Sequence, residues 1–177
     1  WHRRLVRHRS GARRRARRTV SSFLPGATLG ILGGGQLGRM IAADARRMGY
    51  RIAVLDADPS RPAALLADVL VVGAFHDAGA ALRLAAAADV VTLETEHIPW
   101  QILDEVAAVK PLRPSAQVLR TVQDRWHQKT FLAAQGLPQA AFAAVGDEAS
   151  LLAAVEAVGT PALLKTRTGG YDGKGQS

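Results

Sequence analysis

The sequence predicts an α/β fold. A parallel sheet with interleaved helices fills the first two thirds of the chain, and the opening part of a second unit follows. Three observations carry this. Strand-like and helix-like apolar patterns alternate from residue 28 to residue 109. The first two strands are joined by a glycine-rich turn and a helix, a β–loop–α–β order that implies parallel strands. A second glycine-rich loop, near the C-terminus, follows an apolar run ending at Lys165.

Residues 28–32 read as the first strand. Gly33-Gly34-Gly35-Gln36-Leu37-Gly38 follows, with the spacing G-x-G-x-x-G. A helix then runs to about Met48, with Leu37, Met40, Ile41, Ala45 and Met48 near helical spacing, and Gly49 stops it. Residues 51–55 form a second strand ending at Asp56. That acid lies where a dinucleotide fold holds a ribose, so one reading is an NAD-binding module with Asp56 on the sugar. In the alternative, Asp56 only ends a strand. Residues 63–67 are a short helical stretch and residues 69–72 a third strand. Residues 78–88 are an alanine-rich helix and residues 89–93 a fourth strand. Glu94-Thr95-Glu96-His97-Ile98-Pro99 follows, placing two acids at the carboxyl end of that strand, where open α/β sheets take ligands. His97 reads as a loop residue. A helix covers residues 100–109, and Ser115 caps another.

The second unit begins near Leu119. A helix opens at Asp124-Arg125 and ends near Gly136. Residues 140–145 read as a strand and residues 147–158 as a helix. Residues 161–165 read as a short buried strand that leads into Lys165-Thr166-Arg167-Thr168-Gly169-Gly170-Tyr171-Asp172-Gly173-Lys174-Gly175-Gln176. Four glycines in seven residues let backbone N–H groups approach a polyanion. A lysine about 4 Å from a phosphate oxygen contributes roughly 4 kcal/mol at an effective dielectric near 20. Lys165 and Lys174 therefore suit a nucleotide triphosphate. The competing reading is a polar hairpin turn, since Gly-Gly and Asp-Gly are hairpin signals. The P-loop pattern is absent, because Gly175-Gln176 follows Lys174.

Charge sits at one end. Residues 1–19 hold nine of the 23 basic residues and no acid, leaving 14 bases against 15 acids in the remainder. The body is thus not a basic nucleic-acid-binding domain. The tail, residues 1–26, is expected to be disordered. It has the make-up of an organelle transit peptide, and a third reading makes the chain a basic-tailed nucleic-acid-binding protein. There is no cysteine, which excludes disulfides and thiolate metal sites. No apolar stretch reaches the roughly 18 residues of a membrane span.

The C-terminal loop resembles the flexible phosphate loop of the N5-carboxyaminoimidazole ribonucleotide synthase family, ATP-grasp enzymes of purine biosynthesis. The Tyr171-Asp172 pair within it separates that family from ATP-grasp enzymes with plain glycine runs. Gly33-Gly34-Gly35-Gln36-Leu37-Gly38-Arg39-Met40 resembles the family's N-terminus, and Asp124-Arg125 with Lys129 its entry helix. Glu94-Thr95-Glu96 resembles its Glu-x-Glu, with Thr95 in place of an aromatic and His97 in place of Asn. The resemblance covers about residues 28–177. It implies a pre-ATP-grasp domain over residues 27–118 and a truncated ATP-grasp domain over residues 119–177.

The implied function is an ATP-dependent carbon–nitrogen ligase that carboxylates 5-aminoimidazole ribonucleotide with bicarbonate. Implied catalytic residues are Lys165 and Lys174. Implied ATP contacts are Arg125, Lys165, Gly170, Tyr171, Asp172, Gly173, Lys174, Gly175 and Gln176. Implied ribonucleotide contacts are Gln36, Leu37 and Glu94, with Glu94 serving substrate and not fold. Magnesium is implied, its ligands expected beyond Ser177. A cytoplasmic homodimer is implied for the full-length enzyme, and the present chain is expected to be inactive alone.

Overall fold

The computed structural model describes residues 22–170 and 174–177. Four parallel strands form one sheet in the order β3-β2-β1-β4: β1 is Thr28–Leu32, β2 Arg51–Asp56, β3 Val69–Val72 and β4 Val90–Leu93. The helices are α1 (Gln36–Arg47), α2 (Ala78–Ala87), α3 (Trp100–Val109), α4 (Ala116–Val122), α5 (Arg125–Ala134) and α6 (Glu148–Val158), with a 3₁₀ turn at Ala64–Leu66.

Side chains alternate across a strand, and β2 is buried on both faces. Ala53 and Leu55 join Leu84, Val91, Leu103 and Val106 in a core shared with α2, α3 and α4. Ile52 and Val54 point the other way, onto Ile31, Ala42 and Ala45 beneath α1. Helices therefore cover both faces, which is why β1 and β2 read as continuous apolar runs. Asp68 ties the β2–β3 connection to α1. Its carboxylate accepts from Ile52 N at 2.8 Å and from Arg46 Nη2 at 2.8 Å. The Ile52 N–H donation and then the Arg46 bond hold the Asp68 carboxyl below its ordinary range, against the desolvation that raises it.

Four expectations are corrected. In α1 the buried positions are Gly38, Ala42 and Ala45, while Leu37, Met40 and Met48 are exposed. Small residues let the helix lie close on the sheet, and the large apolar ones fall on its outer flank. Residues 140–145 form no strand. Residues 161–165 form no buried strand either: Leu163 and Leu164 are exposed, and among the described residues pairing is limited to the antiparallel bridge between Lys165 and Gln176 and the Leu164–Ser177 hydrogen bonds beside it. No sheet stands beside these two segments among the described residues, and an extended run without a partner has no ladder to make it a strand. Ser115 occupies the N-cap position of α4 with an extended backbone but makes no side-chain capping bond.

α4 crosses the expected division between residues 118 and 119, and its Leu119 lies in the first core. Beyond Leu119 no described residue is buried. The expected disorder of the tail concerns residues of which 1–21 lie outside the described part.

Candidate active site

The N-terminal glycine loop is held by two carboxylates. Gly33, at φ +107°, turns the chain out of β1 and donates to Leu55 O at 2.9 Å. Gly34 N donates to Asp56 Oδ2 at 2.8 Å. Gly35 N donates to Glu94 Oε1 at 2.9 Å, and Gly38 N to Glu94 Oε2 at 2.7 Å. Gly35 is the N-cap of α1 and has no side chain to offer, and no acid lies in the first turn. Glu94, just past the end of β4, caps the helix from the strand beside β1. A carboxylate at a helix N-terminus meets unpaired N–H groups and the positive end of the dipole. A side chain at Gly38 would meet the Gly33 carbonyl at 2.6 Å, so the turn requires glycine there.

This arrangement corrects two expectations. Glu94 was expected to have no role in the fold, and it secures α1. Asp56 was expected only to end a strand. It is 5% exposed and accepts from both Gly34 and Asp58, with Arg61 Nε 3.6 Å away. The NAD-binding reading loses its chemistry as well. The N–H groups that would meet a pyrophosphate already face carboxylates, and the acid that would meet a ribose faces the loop. Gln36 and Leu37 are exposed at the start of α1 between the two glycines that Glu94 binds, so the three expected ribonucleotide contacts lie together.

The C-terminal loop is a hairpin at its base. Leu164 and Ser177 exchange two N–H···O bonds of 2.9 Å, and Thr166 N donates to Gly175 O at 2.8 Å. The turn reading and the phosphate-loop reading are therefore compatible, since the hairpin presents the glycine segment. Lys165 and Lys174 are exposed. Tyr171, Asp172 and Gly173 lie outside the described residues.

The start of α5 grips this loop. Arg125 Nη2 donates to Gly170 O at 2.7 Å, and Arg125 N to Arg167 O at 2.8 Å. Asp124 caps α5 by accepting from Trp126 N at 2.8 Å and His127 N at 3.2 Å. Its carboxylate also takes Arg167 Nη2 at 2.6 Å and Nε at 3.2 Å. Desolvation raises the Asp124 pKa, but the Arg167 hydrogen bond, the two backbone N–H groups and the Arg167 charge outweigh it and leave it below the ordinary carboxylate value. Arg125 and Gly170, expected to share a site, are in contact.

A cleft of about 330 Å³ opens between the carboxyl end of β4 and the loop. Glu96, His97 and Pro99 form one wall, Arg167, Thr168, Gly169 and Gly170 the other, with Gln123 and Arg125 between them. His97, read as a plain loop residue, lines it. Gln123, Asp124 and Arg167 were not singled out as functional. Asp124 carried a signal, as an N-cap acid in a chain with an arginine-bearing loop. Gln123 carried none.

Residues 26–123 match the ribonucleotide synthetase preATP-grasp domain, and residues 130–177 match the ATP-grasp domain. N5-carboxyaminoimidazole ribonucleotide synthase of Brucella melitensis is 44% identical over 156 residues, 88% of this chain and 43% of that protein. The chain belongs to the N5-carboxyaminoimidazole ribonucleotide synthase family. Solved structures of the family agree. A Staphylococcus aureus synthetase complexed with ADP superposes with a TM-score of 0.84 at 37% identity, covering 87% of this chain and 41% of that one. An Aspergillus clavatus synthase in complex with ADP and the aminoimidazole ribonucleotide gives 0.77 at 37%, covering 86% and 40%. The chain spans about two fifths of the length of the family members it matches.

The family resemblance implies magnesium, and the described residues supply no ligand cluster for it. No group of three or more His, Asp or Glu side chains comes together among them. No helix among the described residues is long and apolar enough to cross a membrane.

Proposed function

We propose that this chain supplies the ribonucleotide-facing domain and the phosphate loop of an ATP-dependent carbon–nitrogen ligase. In the proposed reaction bicarbonate attacks the γ-phosphorus of ATP, giving carboxyphosphate and ADP. The exocyclic amine of 5-aminoimidazole ribonucleotide then takes the carboxyl group, and phosphate leaves. The observation that carries the reading is the grip of Arg125 on Gly170, which sets a glycine loop with exposed lysines across a cleft from the carboxyl end of β4. The Aspergillus structure, named for ADP and the ribonucleotide together, supports the same pair of ligands here.

Lys165, Lys174 and Arg125 are assigned to offset charge on the transferring phosphoryl group, with N–H groups of Gly170, Gly173 and Gly175 cradling it. Gln176, Tyr171 and Asp172 are assigned to ATP, with Tyr171 and Asp172 also facing the ribonucleotide side. Gln36, Leu37 and Glu94 are assigned to the ribonucleotide. Glu94 can serve both fold and substrate. Each carboxylate oxygen has two acceptor positions, and the glycine N–H groups take one apiece. What remains accepts a hydroxyl or amine and repels a phosphate. The division near residue 119, magnesium bound by residues other than those described, a homodimer and a cytoplasmic location belong to the same proposal.

The test places this chain in a full-length synthase and follows ADP release. ADP should appear only with both bicarbonate and the ribonucleotide, and Arg125→Ala should lower kcat/KM by about a hundredfold, the loss of one transition-state charge contact. ADP release indifferent to the ribonucleotide would reject the reading.

A further inference from the structure

Three consecutive residues join the two walls of the cleft. Gln123 is the C-cap of α4, and its amide nitrogen donates to Glu96 O at 2.7 Å and Ile98 O at 2.6 Å. An amide NH₂ carries two hydrogens, so both are engaged on the β4 side. Asp124 and Arg125 engage the other side, through Arg167 and Gly170. The chemistry requires glutamine's amide. A glutamate would set an oxygen against two carbonyl oxygens, and a methionine of similar length has no hydrogen to donate.

We infer that Gln123 is a positioning residue that couples the two halves of the site, so that nucleotide at the glycine loop tightens ribonucleotide binding beside β4. The inference rests on the proposed function. Its physical basis is a shared anchor. Nucleotide that draws in residues 167–170 moves the Arg125 backbone, which is hydrogen-bonded to Arg167. The Gln123 amide, two residues away, carries that displacement to the carbonyls of Glu96 and Ile98. Coupling of this kind is reciprocal between the two ligands.

The experiment measures equilibrium binding of 5-aminoimidazole ribonucleotide to a full-length synthase carrying this chain, with and without a non-hydrolysable ATP analogue. The analogue should tighten ribonucleotide binding about fivefold or more. Gln123→Met should bring that ratio close to one while leaving affinity for the analogue within about twofold, and Asp124→Asn should weaken the ratio from the other side. A purely structural role would lower melting temperature and leave the ratio intact. A ratio unchanged in both variants, or a wild-type ratio of one, overturns the inference. If Gln123→Met does not fold, hydrogen exchange on the wild type decides: the analogue alone should slow exchange at residues 96–98, and unchanged exchange there overturns coupling. Failure of the wild type to bind either ligand rejects the proposed function itself, an outcome distinct from binding without coupling.

Discussion

Glu94 shows how one carboxylate can secure a helix from a neighbouring strand. Its two oxygens satisfy two of the unpaired N–H groups at the start of α1. Hydrogen bonds to a charged group contribute about 1.5–3 kcal/mol. Glu94→Gln turns one acceptor into an NH₂ that opposes a glycine N–H, so a loss of about 2 kcal/mol is expected, with a fall in melting temperature of roughly 8–16 °C for a domain this size. Thermal melting of the two proteins checks it, and equal melting temperatures would show that the carboxylate is dispensable to α1. Asp124 gives a prediction in pH. Its folded pKa lies below its ordinary value, so its contribution is complete above about pH 4 and is lost as pH falls through the lowered folded value. Arg167 should release from α5 in that acidic window. An NMR titration of the Asp124 carboxyl, with a midpoint below about 3.9, is the expected result.

At the scale of elements, stability is concentrated in the sheet. β1 and β2 are central and flanked on both faces, whereas α5 and α6 have no buried residue. α6 is well formed locally, because Asp147 and Ser150 build a capping box, but capping supplies only about 1 kcal/mol. Amide exchange should therefore be slowest in β1 and β2 and fast throughout α6. Leu84 is fully buried between α2 and the sheet, and Leu84→Ala should cost about 2–5 kcal/mol. Chemical denaturation measures that loss, and a change below 1 kcal/mol would mean the site collapses around the truncation.

For the whole molecule, neither core cluster extends past Leu119. Residues 22–123 should unfold cooperatively when expressed alone, with a melting temperature within a few degrees of the longer chain. Calorimetry of the two would show it, and loss of the cooperative transition on truncation would mean that residues 124–177 support the sheet. Residues 25–177 alone should release no ADP above a Lys165→Ala control. Turnover there would show that phosphoryl transfer needs nothing more than this chain.

The sequence by itself determined the order and type of the elements from β1 to α3, because each carries its own period, stop signal or turn glycine. It also determined the family, because Gly169-Gly170-Tyr171-Asp172-Gly173-Lys174-Gly175-Gln176 is contiguous. Residues 140–145 and 161–165 misled it, since an apolar run becomes a strand only beside a partner, and partners are not written locally. The outer placement of Leu37, Met40 and Met48 was hidden for a related reason: helical spacing marks a face but not which face meets the sheet. Only the tertiary structure decided what Glu94, Asp56, Gln123 and Asp124 do. Glu94 lies 59 residues from Gly35, and Asp124 lies 43 from Arg167. Bonds between groups so far apart along the chain exist only once the sheet has brought β4 beside β1 and the loop against α5.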